Sequence, residues 1–150
     1  MAEIIFVCTG NTCRSPMAEA LAIAMFAREG IEISVTSAGV SASGASCASK
    51  NAIAAMKREM LDLSAHKSRH AAAEILKNAA LILTMTGAHL LYVKKICPTA
   101  NAFTLGEFAG DKSTDVCDPF GGDENEYLAC AAQIKALLEA ALEKFREIAP

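Results

Sequence analysis

The sequence predicts an α/β fold in which an open sheet of parallel strands carries helices on both faces. Three observations lead there. Short apolar or β-branched runs alternate along the chain with stretches of helical periodicity, the pattern left by right-handed βαβ crossovers. The run Ala80-Leu81-Ile82-Leu83-Thr84-Met85 is apolar without alternation, as in a strand covered on both sides. The first such run, Ile4-Ile5-Phe6-Val7, passes through a nine-residue turn, Cys8 to Pro16, directly into a helix. At 150 residues the chain has the size of one domain, spanning 1–150 without repeat or linker. That length suffices to bury roughly 70% of the unfolded surface.

After the opening strand, Ser15 is a suitable N-cap and Pro16 a suitable first helical residue, because the missing N–H of proline costs nothing there. Met17, Ala20, Leu21, Ala24 and Met25 then form one apolar stripe, on a helix that stops near Gly30. Ile31 to Thr36 reads as a strand, and Ser37 to Gly44 has the small-residue punctuation of a loop. Ile53, Met56 and Met60 mark a second helix, followed by a polar connection from Ser64 to His70. Ala71 to Lys77 is helical by propensity, and the buried strand 80–85 follows. Ala88 to Lys95 forms another helix, Pro98 closes it, and Ala102 to Leu105 is a short strand. Gly106 to Asp123 lacks periodicity, and a loop of that length is usually functional. Tyr127, Ala131, Ile134, Leu138, Ala141, Phe145 and Ile148 then share one face of a closing helix, with acidic residues in its first turn.

A net charge of −3 with no basic tract gives no footprint for nucleic acid. No apolar run approaches the ~18 residues of a membrane span, and Met1-Ala2-Glu3 lacks a signal-type start, so a cytoplasmic protein without membrane partners is expected. The six cysteines are irregularly spaced and read as thiols. Without Cys-X2-Cys or His-rich spacing, neither metal nor other cofactor is expected.

The chemistry gathers in Cys8-Thr9-Gly10-Asn11-Thr12-Cys13-Arg14-Ser15-Pro16. In a strand-to-helix turn, successive backbone N–H groups point into one concavity in front of the positive end of the helix, so a phosphoryl dianion is held there. Gly10 gives the backbone room to curl. A cysteine at the first position has its thiolate stabilised by the same amides and by an arginine five residues further on, which makes Cys8 a nucleophile. The planar fork of Arg14 grips two phosphoryl oxygens and favours a trigonal-bipyramidal transition state. Thr9, Gly10, Asn11, Thr12, Cys13 and Arg14 are the candidate phosphate-binding residues. Cys8 and Cys13 flank one loop, and a reversible disulfide between them would protect the nucleophile, making Cys13 its candidate redox partner.

The segment from Val7 to Ala20 resembles the signature of the low-molecular-weight protein tyrosine phosphatases, which share a Cys-X5-Arg loop near the N-terminus and an Asp-Pro pair late in the chain. The resemblance covers essentially the whole chain and implies a four-stranded sheet of order 2-1-3-4, flavodoxin-like. It implies Asp118, in Asp118-Pro119, as general acid, and Asn11, Ser15, Ser37 and His66 as the polar residues that hold the loop open. His70 and His89 have no motif support. By the same resemblance the substrates are phosphorylated proteins; in-line attack by Cys8 makes the intermediate a phosphocysteine, and a monomer is expected.

Departures from the family pattern bear on the substrate. Members acting on phosphotyrosine commonly carry Ile where this chain has Thr12, and aromatic residues after Asp-Pro where this chain has Phe120-Gly121-Gly122. A hydroxyl in place of an apolar branch penalises a flat hydrocarbon ring and suits a guanidinium. The combination resembles the protein-arginine phosphatase branch, with Thr12, Asp118 and Phe120 setting specificity. Phosphotyrosine is the alternative substrate. Two rivals are weaker. Arsenate reductases with the same loop need a close pair of resolving cysteines, whereas Cys97 stands alone between Ala80 and Ala100. A phosphate-binding module without catalysis has no need of Cys8 or Asp118.

Overall fold

The computed structural model describes residues 1–111 and 114–150. Residues 112 and 113, inside the segment read as an aperiodic loop, lie outside the described residues. Four parallel strands, β1 (Glu3–Cys8), β2 (Ser34–Gly39), β3 (Leu81–Thr84) and β4 (Ala102–Thr104), pair in the order β2-β1-β3-β4. That is the expected open sheet with order 2-1-3-4. The helices are α1 (Arg14–Glu29), α2 (Lys50–Arg58), α3 (Ala73–Leu76), α4 (Gly87–Ile96), α5 (Leu105–Phe108), α6 (Glu124–Ala140) and α7 (Leu142–Ile148).

Side chains alternate across a strand, so β1 feeds two cores. Ile4, Phe6 and Cys8 join Leu81 and Leu83 of β3 against α1, α2, α6 and α7. Ile5 and Val7 join Ile82 on the opposite face, with Leu76 of α3 and Val93 of α4. Central strands buried on both sides explain why their sequences do not alternate. The larger core closes on an aromatic cluster in which Phe145 packs 5.0 Å from Phe26 and 5.3 Å from Phe108, centroid to centroid. Truncating the fully buried Phe145 to Ala removes about 3–5 kcal/mol of packing. Among the described residues no helix is long and apolar enough to cross a membrane.

Several boundaries differ from the sequence expectation. Strand β2 runs from Ser34 to Gly39, not from Ile31 to Thr36, because its register against β1 pairs Glu3 with Ser34 and Cys8 with Gly39. Pairing with a central strand overrides the loop signal of Ser37-Ala38-Gly39. Helix α2 ends at Arg58, and Met60 lies outside it, left-handed at φ 61° and 93% exposed. Helix α3 is one turn, since Gly39 and the segment Arg69–Ala71 exchange backbone hydrogen bonds instead of beginning a helix at Ala71. Strand β4 stops at Thr104, and Leu105, expected in the strand, begins α5, which runs into the start of the aperiodic segment and is capped by Thr104, whose hydroxyl accepts the Glu107 N–H at 3.0 Å. The single closing helix is broken at Ala141, whose N–H is shared between the Leu137 and Leu138 carbonyls, and α7 brings Phe145 onto the aromatic cluster.

Candidate active site

The turn leaving β1 lies at the carboxyl edge of the sheet, where parallel α/β folds bind ligands. Backbone bonds fix it to the end of β2: the Val40 N–H donates to the Cys8 carbonyl and the Ser41 N–H to the Thr9 carbonyl, each at 2.9 Å. Gly39 is the hinge of this contact. A Cβ there would stand 2.6 Å from the Thr9 oxygen and 2.8 Å from the Asn11 nitrogen, so only glycine lets the strand and the loop meet.

Two local expectations are corrected. Ser15 is not the N-cap of α1. That place belongs to Cys13, without a side-chain capping bond, because the Ser15 hydroxyl is engaged by Cys8 and Asn11 instead. Nor does Gly10 supply the unusual backbone. Asn11 takes the left-handed conformation at φ 58°, and a Cβ on Gly10 would meet only the Thr12 hydroxyl at 3.6 Å. Asparagine tolerates that region better than most residues.

A chain of polar side chains, largely buried, supports the loop. The Asn11 amide donates to Ser15 Oγ at 2.8 Å and to Ser37 Oγ at 2.9 Å, while its Oδ1 accepts the Arg69 N–H at 3.0 Å, so its orientation is unambiguous. Ser37 passes its own proton to Glu19 at 2.5 Å. Ser15 Oγ lies 2.9 Å from Cys8 Sγ. His66 Nε2 donates to the Asn11 carbonyl at 2.7 Å. Asn11, Ser15, Ser37 and His66 therefore meet around the loop.

On the open side, Cys8, Thr9, Gly10, Thr12, Cys13, Arg14, Asp118 and Phe120 line a cavity of about 230 Å³. Cys8 and Arg14 are buried. The Arg14 guanidinium is held from behind by the Val116 carbonyl at 3.0 Å and laterally by Thr9 Oγ1 at 3.4 Å. Asp118 Oδ2 lies 3.5 Å from Arg14 Nη2, and Oδ1 accepts the Phe120 N–H at 3.1 Å. The Asp118 side chain is 52% exposed, so the pair adds little stability and leaves the carboxyl free to meet a ligand. Phe120 is exposed at the rim.

All six cysteines are free thiols. Cys13 Sγ lies 3.2 Å from Tyr127 Oη and 3.5 Å from Ser49 Oγ. Burial, with the Cys13 hydrogen bond second, raises the Tyr127 phenol above its ordinary range. Burial pushes the Cys130 thiol up to about 12, which leaves it an inert core group at neutral pH.

Sequence reasoning missed four participants: Arg69, Tyr127, Gly39 and His89. His89 Nε2 lies 2.8 Å from Thr9 Oγ1, and burial followed by the Arg14 charge pushes its imidazole down to about 4, against the weaker pull of Asp118 and Asp115. A signal for His89 existed. It sits in the first turn after the strand that neighbours β1, where a side chain faces the same carboxyl edge.

Known proteins match this chain over nearly its whole length. A "Protein-arginine-phosphatase" of Bacillus subtilis is 40% identical over 142 residues, 91% of each chain. A "Low molecular weight protein-tyrosine-phosphatase PtpB" of Staphylococcus epidermidis is 36% identical over 139 residues, 91% of this chain and 94% of the relative. The crystal structure of a YwlE mutant from Bacillus subtilis superposes with a TM-score of 0.93 at 36% identity, covering 97% of this chain and 99% of the other. A family model described as low molecular weight phosphotyrosine protein phosphatase matches residues 3–148, from the first strand to the last helix. With the family's model running through every element that builds the cavity, the chain belongs to the low molecular weight phosphotyrosine protein phosphatases.

Proposed function

We propose that the protein is a cysteine-dependent protein phosphatase whose preferred substrate is phosphoarginine in proteins. Bound phosphoryl oxygens are taken by the loop amides and by Arg14, which leaves the phosphorus in line between Cys8 Sγ and the leaving nitrogen. The sulfur forms a bond to phosphorus as the P–N bond breaks. Asp118 gives a proton to the departing guanidine nitrogen, so arginine leaves neutral at that nitrogen and its guanidinium is restored. The carboxylate then takes a proton from water, which attacks the phosphocysteine and releases inorganic phosphate and the thiolate.

The observation that carries the substrate is the composition of the cavity wall: Thr12 lines it together with Asp118 and Phe120. A hydroxyl-bearing wall beside a carboxylate suits a guanidinium, which brings charge and N–H donors, and leaves a phenyl ring facing polar groups. Phe120 at the rim offers a face for the guanidinium or for substrate carbon. The relative of Bacillus subtilis named as a protein-arginine-phosphatase supports the same reading.

The test is turnover of phosphoarginine and phosphotyrosine peptides side by side, for the unaltered protein and for Thr12→Ile. The unaltered protein is expected to favour phosphoarginine, and Thr12→Ile to move the ratio toward phosphotyrosine by about tenfold, the value of one methyl-sized change in a pocket. Preference of the unaltered protein for phosphotyrosine would leave the reaction class and overturn the substrate.

A further inference from the structure

One buried nitrogen beside the phosphate loop is left without a partner, and it fixes the chemistry of its neighbour. His89 is 6% exposed, and its Nδ1 has no hydrogen-bond partner among the described residues. The residue is held in place by its helix: Thr86 caps α4, and its hydroxyl accepts the His89 N–H at 3.3 Å. The other ring nitrogen, Nε2, lies 2.8 Å from Thr9 Oγ1. A neutral imidazole has one proton to place. On Nδ1 it would be a buried N–H with no acceptor. On Nε2 it completes the bond to Thr9 and leaves Nδ1 a bare lone pair, the less costly omission. Burial and the nearby Arg14 charge both keep the ring neutral.

With Nε2 donating, the Thr9 oxygen accepts one bond from His89 and a second from Arg14 Nη2 at 3.4 Å, which can only donate. Both lone pairs are then engaged and the single hydroxyl proton is left for a third partner. Thr9 lines the cavity with Cys8 and Arg14. We propose that His89 is a positioning residue, whose hydrogen bond makes the Thr9 hydroxyl a dedicated donor to a phosphoryl oxygen while Thr9 holds the Arg14 guanidinium against the cavity. The proposal rests on the phosphatase reading of the site and adds to it a side-chain donor beside the loop amides and Arg14.

Long-range 15N imidazole spectra of the free protein at pH 7 read the tautomer without any turnover. Nε2 protonated and Nδ1 bare is the expected result, and either an Nδ1–H tautomer or an imidazolium overturns the proposal. Orthovanadate, which takes the five-coordinate shape of the transferring group, is the binding probe. His89→Leu is expected to weaken vanadate about tenfold and to lower kcat more than it raises KM, as expected for one charge-assisted donor misdirected in the transition state. His89→Gln, whose amide N–H can replace Nε2–H, is expected to recover most of the loss. Thr9→Val, which also removes the acceptor for Arg14, is expected to lose at least as much as His89→Leu, and the double variant no more than Thr9→Val alone. Equal impairment of the Leu and Gln variants, or additive losses in the double variant, would make His89 a packing residue only. Failure of the unaltered protein to hydrolyse any phosphorylated peptide would sink the phosphatase reading, with the tautomer and vanadate results still deciding the role of His89.

Discussion

Ser15 Oγ stands 2.9 Å from Cys8 Sγ, and it accepts one of the two Asn11 amide protons at 2.8 Å. Asn11 in turn is oriented by the Arg69 N–H on its Oδ1, so the direction of the network is set from Arg69 through Asn11 to Ser15. Fed as an acceptor, the hydroxyl has one proton to give, to the sulfur at 2.9 Å or to the Ala38 carbonyl at the longer 3.5 Å, and an ionised sulfur is the stronger acceptor. The hydroxyl can stabilise the thiolate before attack and again when the thiolate leaves phosphorus.

Ser15→Ala should therefore lower kcat by roughly tenfold to a hundredfold, the worth of one hydrogen bond to a charged group, with KM little changed. Burst kinetics locate the loss, which should fall mainly on breakdown of the phosphoenzyme. Equal losses in kcat and in inorganic phosphate affinity would instead point to collapse of the loop.

Gly39→Ala is expected to damage the site more than the fold. The added methyl would meet three backbone atoms of the loop, Thr9 O, Asn11 N and Gly10 C, all within 3 Å, and none of them can swing aside as a side chain would. A displacement of this kind can cost about a hundredfold in kcat/KM. Activity and phosphate inhibition, measured beside urea unfolding, should show the activity loss exceeding what the change in stability explains.

For Asp118→Asn, the shape of the side chain survives and the transferable proton does not. On phosphoarginine peptide, kcat should fall by about a hundredfold or more. On 4-nitrophenyl phosphate, whose leaving group departs without a proton, the first step should be nearly unaffected. A uniform loss on both substrates would assign Asp118 to binding.

The buried imidazole of His89 gives stability a pH dependence. Its pKa is lowered to about 4 in the folded protein, against 6.5 when free, by burial first and the Arg14 charge second, with Asp118 and Asp115 pulling the other way. Between those values the unfolded chain takes up a proton that the native protein refuses. Stability is thus full above pH 6.5 and falls as pH drops toward 4, by up to about 3 kcal/mol from this group. Urea midpoints for the protein and for His89→Gln should lie close together at neutral pH and separate as pH falls toward 4, the parent losing the more. Parallel curves would mean that His89 titrates normally.

The sheet and the phosphate loop are legible in the sequence because each has a local signature, whereas the strand order and the general-acid candidate follow only from the resemblance to the family. The apolar run 80–85 announces a covered strand, and Cys8, Arg14 and Asp118 sit in short motifs. What escaped was whatever depends on a partner distant in sequence. Ser37 to Gly39 looked like loop until paired with Phe6 to Cys8. Met60 carried a helical spacing that a left-handed residue at φ 61° interrupts. His89 looked like one more residue on an apolar helix, and only the adjacency of β1 and β3 brings it to Thr9, eighty positions away. Arg69 likewise acts on Asn11 across fifty-eight positions.

Acid-quenched intact-protein mass spectrometry during turnover of a phosphoarginine peptide tests the covalent route most directly. A transient gain of one phosphoryl group, mapped to the peptide that contains Cys8 and absent from Cys8→Ala, is the predicted result. Steady turnover with no protein-bound phosphate at Cys8, or a Cys8→Ala variant as fast as the parent, would contradict it.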